Sequence, residues 1–194
     1  MAAFKFIGGA LCVDFVNTVG AWADGQPLRD KLAHAGDLQH WSRMANLAGA
    51  RLPMNNAVLQ RAVVLRGALY RILTAAIGGR ASDKRDLEIL NRELAAARSR
   101  EFLASAKTGY HLQFPEAPER VLWAVVRSAS ELLTSEYLHR LRQCPGAECG
   151  WLFLDTSRNG MRQWCQMRVC GNRAKARKFR ERSRQSQHRR KKRA

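Results

Sequence analysis

The sequence predicts a mainly α-helical N-terminal domain with a few short strands (an α+β domain), followed by a small cysteine-bearing module that ends in a basic helix. Two observations lead to this prediction. Apolar residues recur at helical spacing through most of residues 1–140. Residues 141–194 hold four of the five cysteines and +13 of the formal net charge of +18, whereas residues 1–140 carry only +5.

The overall composition narrows the classes of protein to which this chain can belong. With 194 residues, 46% of them hydrophobic, the chain can bury the cores of two small domains. It has no run of about 18 apolar residues, so we expect no transmembrane helix. Asp14 and Asn17 interrupt the apolar stretch near the N-terminus, which argues against a secretory signal and predicts a cytoplasmic location. The excess of positive charge predicts nucleic acid as the partner ahead of an anionic membrane surface, and no membrane partner is expected.

The first elements of the N-terminal domain follow from short local patterns. The apolar stretch over residues 9–15 predicts a strand. Apolar residues at helical spacing over residues 38–48 predict a helix that Asp37 is placed to cap. The same spacing over residues 59–77 predicts a longer helix, which Gly78-Gly79 would end.

Two further helices and one strand complete this domain. Ser82 or Asp83 can cap a helix whose apolar stripe covers residues 87–97. Apolar and polar residues alternate over residues 110–114, which predicts a strand. Pro118 is a favoured first-turn residue, and the apolar spacing that follows it predicts a fourth helix.

The C-terminal module carries the strongest motif in the chain. Four residues separate Cys144 from Cys149 and Cys165 from Cys170, and fifteen residues lie between the two pairs. Two close pairs joined by a short loop can bring four thiolates to one tetrahedral ion, and zinc prefers this closed ligand set in structural sites. Pro145-Gly146 favours the tight turn that aims two sulfur atoms at one point. The quartet therefore predicts one structural zinc ion, with no open position for catalysis.

Three alternative interpretations of the cysteines are weaker. A pair of disulfides is not expected in a chain without a predicted export signal, because cytosolic thiols stay reduced. A redox dithiol has two intervening residues rather than four. His139 lies five residues before Cys144 and could replace a ligand. Since four cysteines already complete the ligand shell, we expect His139 on a helix surface.

Local patterns around the cysteines predict the fold of the module. Residues 151–154 and residues 161–167 predict the two strands of a hairpin that turns at Asn159-Gly160. After the last cysteine, helix-forming residues predict a helix whose narrow apolar stripe, Ala176 and Phe179, docks on the module. A knuckle, a hairpin and a helix that begins at the last ligand make a treble-clef-like or zinc-ribbon-like finger.

The predicted C-terminal helix gathers the positive charge. Its arginines at positions i, i+4, i+7 and i+11 form one face, and other cations flank them. Arginine suits bidentate contacts with phosphate or guanine, so this surface is the candidate nucleic-acid site. The alternative is a solvated charged face, but a single acid, Glu181, relieves the run from Arg173 to Arg193. The candidates are Arg173, Arg177, Arg180 and Arg184 on the face, Lys175, Lys178 and Arg182 beside it, and Arg158, Arg162 and Arg168 on the predicted hairpin.

Two segments of the chain resemble known families. Residues 144–182 contain Cys-x4-Cys-Gly-Trp-Leu-Phe-Leu-Asp-x-Ser-Arg-Asn and then Arg-x-Trp-Cys-x-Met-x-x-Cys-Gly-Asn-Arg-x-Lys-x-Arg, which strongly resembles the CGNR zinc finger. The opening Leu-Cys-Val-Asp-Phe-Val-Asn-Thr of residues 11–18 resembles the start of the ABATE domain that precedes this finger. The resemblance implies a stress-responsive bacterial transcription regulator that binds zinc and duplex DNA. The ligands that it implies are Cys144, Cys149, Cys165 and Cys170.

The motifs divide the chain into three parts. Residues 1–140 form an ABATE-like domain for sensing or association, and residues 141–182 form the finger. Residues 183–194 form a basic tail that we expect to be flexible.

Polar residues near the start of the chain are candidates for a second role. Asp14, Asn17 and Thr18 could form a ligand site or an interdomain contact, although capping of the next segment is the preferred interpretation. Cys12 lies among apolar residues and is expected to be buried rather than redox-active. The residues expected in the core are Trp22, Trp41 and Trp123.

Three functions compete at this point. The first is a zinc-dependent DNA-binding regulator, not an enzyme, whose N-terminal domain receives a small-molecule or protein signal. The second is an RNA-binding or ribosome-associated protein that uses the same charge on unpaired bases. The third is an enzymatic or small-molecule-binding N-terminal domain that the finger only localises. The first is preferred over the second because Trp151, Phe153 and Trp164, which could stack on bases, are expected in the small core of the finger. It is preferred over the third because the chain shows no Ser/His/Asp order, Gly-rich phosphate loop or paired carboxylates.

Overall fold

The computed structural model describes residues 3–47 and 53–191, with side chains through residue 185, and these residues form six α-helices and three antiparallel strand pairs. The helices are α1 (Leu11–Val16), α2 (Ala35–Met44), α3 (Asn56–Ile77), α4 (Lys84–Arg98), α5 (Arg120–Leu133) and α6 (Asn172–Lys191). The strand pairs are β1 (Val19–Ala23) with β2 (Gln26–Asp30), β3 (Phe102–Ser105) with β4 (Tyr110–Gln113), and β5 (Leu141–Gln143) with β6 (Leu152–Leu154). No described helix is both long and apolar enough to cross a lipid bilayer.

The short helix α1 lies at the centre of the hydrophobic core. Five of its six residues are buried, and it packs against α3, α5 and β6. Cys12 is fully buried, as expected, and this burial raises the pKa of its thiol to about 11. The strand predicted over residues 9–15 is wrong. Because nearly every side chain of α1 is buried, the apolar run lacks a period that would distinguish a strand from a helix.

Helices α3 and α4 lie where the apolar spacing predicts them. The Asn55 side chain caps α3 by accepting the N–H of Val58 at 2.9 Å, and the helix ends at Gly78. Asp83 caps α4, because its carboxylate accepts the N–H of Arg85 at 2.8 Å. These caps satisfy N–H groups of the first turn that have no partner within a helix.

Helix α2 begins at Ala35, three residues before its predicted start, and α5 begins two residues after its predicted start. His34, not Asp37, occupies the cap position of α2, and the Asp37 carboxylate accepts the His34 N–H from the third helical position. Residue 48, the end of the predicted helix, lies outside the described residues. Arg120 begins α5, two residues after Pro118.

The strand predicted over residues 110–114 is present as β4, which pairs with β3 in an isolated hairpin. Tyr110 and Leu112 are mostly exposed, and Phe114, just beyond the strand, is buried. The alternation therefore identifies the strand but not a core-facing side. The core itself contains all three tryptophans expected there, Trp22, Trp41 and Trp123.

The N-terminal domain and the finger share one continuous core. The Asn17 amide donates to the carbonyl of Leu152 at 2.8 Å, and its oxygen accepts the Leu152 N–H at 3.0 Å. A side chain of the finger also reaches the N-terminal domain, since the Trp151 indole donates to the carbonyl of Val19 at 3.1 Å. Asn17 therefore makes an interdomain contact, whereas the sequence favoured capping of the next segment. Buried side chains therefore pack continuously across the predicted domain boundary near residue 140.

The hairpin of the finger differs from the predicted one. Strand β6 lies within residues 151–154, but it pairs with β5, which precedes the first cysteine. Residues 161–166 form no strand, so the predicted return strand is wrong. The Arg162 guanidinium accounts for this difference, because it donates to the carbonyls of Trp164 and Cys165 and folds the segment into a loop.

Helix α6 leaves the finger from a π-helical turn, Met167–Gly171, which is its main contact. The predicted docking of Ala176 and Phe179 is wrong, since Ala176 is exposed and the Phe179 side chain is 72% exposed. The aromatic side chains buried in the finger, Trp151 and Phe153, lie in or beside β6, so its core forms without this stripe. The helix also crosses the predicted start of the tail at residue 183, and residues 192–194 lie outside the described residues.

Candidate metal centre and basic helix

The sulfur atoms of Cys144, Cys149, Cys165 and Cys170 all lie within 4.8 Å of one another. Two of these distances, Cys149 to Cys165 and Cys165 to Cys170, are 3.6 Å. A tetrahedral zinc ion with Zn–S bonds of about 2.3 Å holds its sulfur atoms about 3.8 Å apart, so the cluster fits one zinc ion. No disulfide joins any of the four cysteines, which agrees with the zinc interpretation and not with the disulfide interpretation.

The tip of the β5–β6 hairpin positions the first pair of cysteines. Cys144 follows β5 and donates its N–H to the carbonyl of Trp151 at 2.8 Å, which extends the hairpin to the ligand. Cys149 donates its N–H to the carbonyl of Gly146 at 3.0 Å and closes the tight turn. A Cβ at Gly146 would lie 3.3 Å from the sulfur of Cys170. Glycine therefore lets this turn approach the second pair of cysteines closely.

The second pair lies directly before the C-terminal helix, which begins at Asn172. Cys165 belongs to the loop that Arg162 holds. Cys170 lies in the π-helical turn, and its N–H donates to the carbonyl of Gln166 at 2.9 Å. A metal ion on the four sulfur atoms would therefore tie the hairpin to the base of α6.

The thiols of Cys144, Cys149 and Cys165 compete for protons because they are buried and close together. Donation from the thiols of Cys149 and Cys165 lowers the pKa of Cys144. Contact with Cys144 and burial raise the pKa of Cys149. A divalent cation relieves this competition, since it stabilises every thiolate at once. His139 takes no part, because it is exposed and lies outside the cluster.

Arg162 differs from the other candidate cations because its guanidinium is held inside the finger. It lies 4.5 Å from the ring centre of Phe153 and donates to the carbonyl of Ile7 at 3.2 Å. These contacts give Arg162 a structural role and leave few donors for a phosphate. Arg158 and Arg168 are exposed, as the nucleic-acid hypothesis requires.

The cations of α6 are available to a partner. The helix spans 20 residues, which corresponds to about 30 Å. All seven of its cations up to residue 184 are exposed, and none of them forms an ion pair with the part of the chain that the structure describes. These residues are Arg173, Lys175, Arg177, Lys178, Arg180, Arg182 and Arg184.

Several residues that hold the finger in place were not predicted from the sequence. The structural role of Arg162 had no signal, because an arginine in a charged segment looks like any other surface cation. The hydrogen bond from the Gln143 amide to the Tyr70 hydroxyl, 2.8 Å, joins residues that lie far apart in the sequence. Asn17 did carry a signal, as a polar residue directly after an apolar run.

Comparison with known families agrees with both resemblances. A family model named ABATE, with the description "Putative stress-induced transcription regulator", matches residues 9–136. A model of the CGNR zinc finger matches residues 140–183. Neither description is that of an enzyme family. No curated protein matches the chain significantly.

Proposed function

Since the chain belongs to the ABATE family and carries a CGNR zinc finger, we propose that it is a zinc-dependent, DNA-binding regulator of transcription under stress. The observation that carries this proposal is α6, which presents seven exposed cations without ion pairs among the described residues. A helix of this kind suits a polyanion, because its charge is not offset from within the protein. We place the regulator in the cytoplasm, where thiols stay reduced and can bind zinc.

Zinc has a scaffolding role in this proposal. Cys165 lies just before the π-helical turn that leads into α6, Cys170 lies within that turn, and Cys144 and Cys149 lie at the tip of the β5–β6 hairpin. An ion bound to all four sulfur atoms fixes the direction in which the helix leaves the finger. Four thiolates leave no open position for water, so the ion supplies folding energy rather than catalysis.

DNA binding by α6 combines electrostatic capture with contacts in a groove. Arg173, Arg177, Arg180 and Arg184 share one face of the helix, so they can contact one strand or one groove together. The major groove is about 12 Å wide and admits an α-helix. Contacts with phosphates would supply most of the affinity, and contacts with base edges would supply sequence preference.

The first test of the proposal is the salt dependence of duplex binding. If six to eight phosphates are engaged, the log–log slope of the association constant against salt is expected to be about −5 to −7. The double variant Arg177→Gln/Arg180→Gln is expected to reduce this slope by about 2. Arg92→Gln/Arg100→Gln is the matched control, because both arginines are exposed and lie at or near α4. A wild-type slope near −1 would contradict DNA binding by this helix.

The second test addresses the dependence on zinc. The Cys170→Ala variant is expected to lose the metal and, with it, most of its affinity for duplex DNA. Metal content and DNA binding are measured on the same preparation. If the variant loses zinc but binds DNA unchanged, the basic helix alone supplies the affinity and the zinc dependence is wrong.

RNA binding is the second candidate, and Phe179 is the observation that favours it. This ring is 72% exposed on the basic helix, and an exposed aromatic ring can stack on an unpaired base. Trp151 and Phe153 cannot serve in this way, because both are buried. Competition between a duplex DNA and a single-stranded RNA at matched salt separates the candidates. Preferential binding of RNA that Phe179→Ala abolishes would favour the second.

A further inference from the structure

A cleft of about 180 Å³ lies where the N-terminal domain meets the finger, directly beside the metal centre. Four cations line it, namely Lys5, Arg29 and Lys31 from the N-terminal domain and Arg173 from the base of α6. Glu148 is the single carboxylate among its lining residues. The cleft therefore gathers positive charge from both parts of the molecule.

The β1–β2 hairpin directs two of these cations toward the cleft. Asp30 lies between Arg29 and Lys31, and both oxygens of its carboxylate accept hydrogen bonds from the buried Arg66 guanidinium. Arg66 also donates to the Thr18 hydroxyl at 3.1 Å. Arg66 thus holds Asp30, while the residues on either side of it, Arg29 and Lys31, both line the cleft.

Arg29 adopts a backbone conformation that the surrounding hairpin must hold in place. Its φ of 53° lies in the left-handed region, which non-glycine residues occupy at a cost. Its side chain lies across Gly20, where an added Cβ would be only 2.7 Å from the Arg29 Nε atom. The absence of a side chain at Gly20 thus gives the Arg29 side chain its path into the cleft.

The cations in the cleft lack anionic partners among the described residues. Lys5 donates to the Gln166 side-chain oxygen at 3.1 Å, and Lys31 donates to the carbonyl of Ala3 at 3.0 Å, so both bind neutral oxygens. Partial burial and the neighbouring charge of Lys5 lower the pKa of Lys31. Arg29 and Arg173 form no ion pair with any described residue.

The metal centre does not account for all of this positive charge. A zinc ion with four thiolates carries a formal charge of about −2, and any electrostatic argument beside it must include that charge. The total positive charge of the four lining cations exceeds the combined negative charge of this centre and Glu148. The cleft therefore keeps an excess of positive charge when zinc is bound.

From this geometry we propose that the cleft binds a small molecule bearing a phosphate group. The guanidinium groups of Arg29 and Arg173 can each offer paired N–H donors to phosphate oxygens, and Lys5 and Lys31 add point charges. The volume suits a phosphate with few other atoms, because clefts for drug-sized ligands measure about 300–1,000 Å³. The ligand would be held by the N-terminal domain and the finger at once.

Binding in the cleft would regulate the basic helix, a consequence that rests on the proposed DNA binding. Arg173 lines the cleft and is also the first arginine on the cationic face of α6. A ligand that engages Arg173 removes one contact from DNA, so phosphate and duplex are expected to weaken each other's binding by the same factor.

The test is calorimetric titration of the zinc-loaded full chain with inorganic phosphate at constant ionic strength. One saturable site per chain is expected. Arg29→Gln/Lys31→Gln is expected to weaken the binding about ten- to a hundredfold, since each variant position removes a charge-assisted hydrogen bond. Lys5→Gln, at an exposed position, provides a second variant should the hairpin not tolerate the first. The control Arg92→Gln/Arg100→Gln removes the same charge outside the cleft and should leave phosphate binding unchanged.

Two outcomes would overturn the site. Wild-type protein that shows no saturable binding of phosphate would exclude it, and so would equal weakening by the control pair. If phosphate does not bind but the cleft variants release zinc faster, the cations serve only to offset the thiolates. If phosphate does not bind but the cleft variants weaken duplex binding, the cleft serves DNA phosphates instead. Because the titration contains no DNA, its result stands apart from the success or failure of the proposed DNA binding.

Discussion

At the scale of single residues, the Asn17 amide joins the N-terminal domain to the finger. It satisfies both backbone groups of Leu152, and the Asn17 side chain is almost completely buried. Asn17→Ala leaves a buried N–H and a buried carbonyl without partners, each at a cost of about 1–3 kcal/mol. We expect a loss of about 2–4 kcal/mol in the free energy of unfolding, measured by urea denaturation of the zinc-loaded protein.

The control for this prediction is Asn91→Ala, at an exposed position on α4. An exposed substitution of this kind changes the free energy of unfolding by no more than about 0.5 kcal/mol. If Asn17→Ala were equally mild, the amide would not be the link that its geometry indicates.

Asp14 makes stability depend on pH. Its carboxylate accepts the Gly8 N–H at 2.7 Å, but burial raises its pKa from 3.8 to about 6. The folded protein then holds this proton more tightly than the unfolded chain does. The contribution of Asp14 to stability therefore falls as pH rises from about 4 to about 6 and stays low above that range.

Asp14→Asn removes this titration and keeps an oxygen that can accept the Gly8 N–H. We expect the variant to gain about 2–3 kcal/mol over the wild type between pH 4 and pH 7, at about 1.4 kcal/mol for each unit of pKa. Comparing the two proteins at each pH cancels the effect of acid on the thiolate ligands. A difference in unfolding free energy that does not change with pH would contradict the raised pKa of Asp14.

At the scale of elements, α6 is expected to contribute little to the stability of the fold. Phe179 is 72% exposed, so Phe179→Ala should change the free energy of unfolding by no more than about 0.5 kcal/mol. The comparison is Phe153→Ala, because this ring is fully buried and its loss should cost about 3–5 kcal/mol. Both values come from urea denaturation. A cost above about 1.5 kcal/mol for Phe179→Ala would mean that α6 docks on the finger after all.

The elements that the sequence predicted correctly are those with a long and clear period. Helices α3, α4 and α5 each bury one stripe, so apolar residues recur every three or four positions. Helix α1 was predicted as a strand because it is short and buried on most sides. The partner of β6 was misplaced, because short strands compete for pairing and a single arginine folds the segment after the turn into a loop.

The candidate metal centre followed from the sequence, whereas the cleft beside it did not. Cysteine spacing restricts where four sulfur atoms can meet, so the ligands can be identified without a structure. The cleft brings together Lys5, Lys31 and Arg173, which are far apart in the sequence and share no motif. Only the packing of the N-terminal domain against the finger places them side by side.

At the scale of the whole molecule, the finger and the N-terminal domain should unfold together. The Leu154 N–H donates to the Gly8 carbonyl at 2.7 Å, and the Trp22 N–H donates to the Cys149 carbonyl at 2.8 Å. The core also continues from one part into the other. Loss of the metal should therefore weaken helices α1 and α3, which hold no ligand themselves, because their packing partners lose their support.

Removal of zinc by a chelator should accordingly lower one thermal transition of the whole chain rather than split it. Each kcal/mol of lost stability moves the midpoint by about 2–4 °C in a chain of this size, so we expect a fall of more than about 5 °C. Hydrogen exchange in α3 should accelerate together with that in the finger. The Cys170→Ala variant is the control, because a protein that has already lost the metal should not respond to the chelator. Two separate transitions, of which only one responds, would show that the shared core does not couple the two parts.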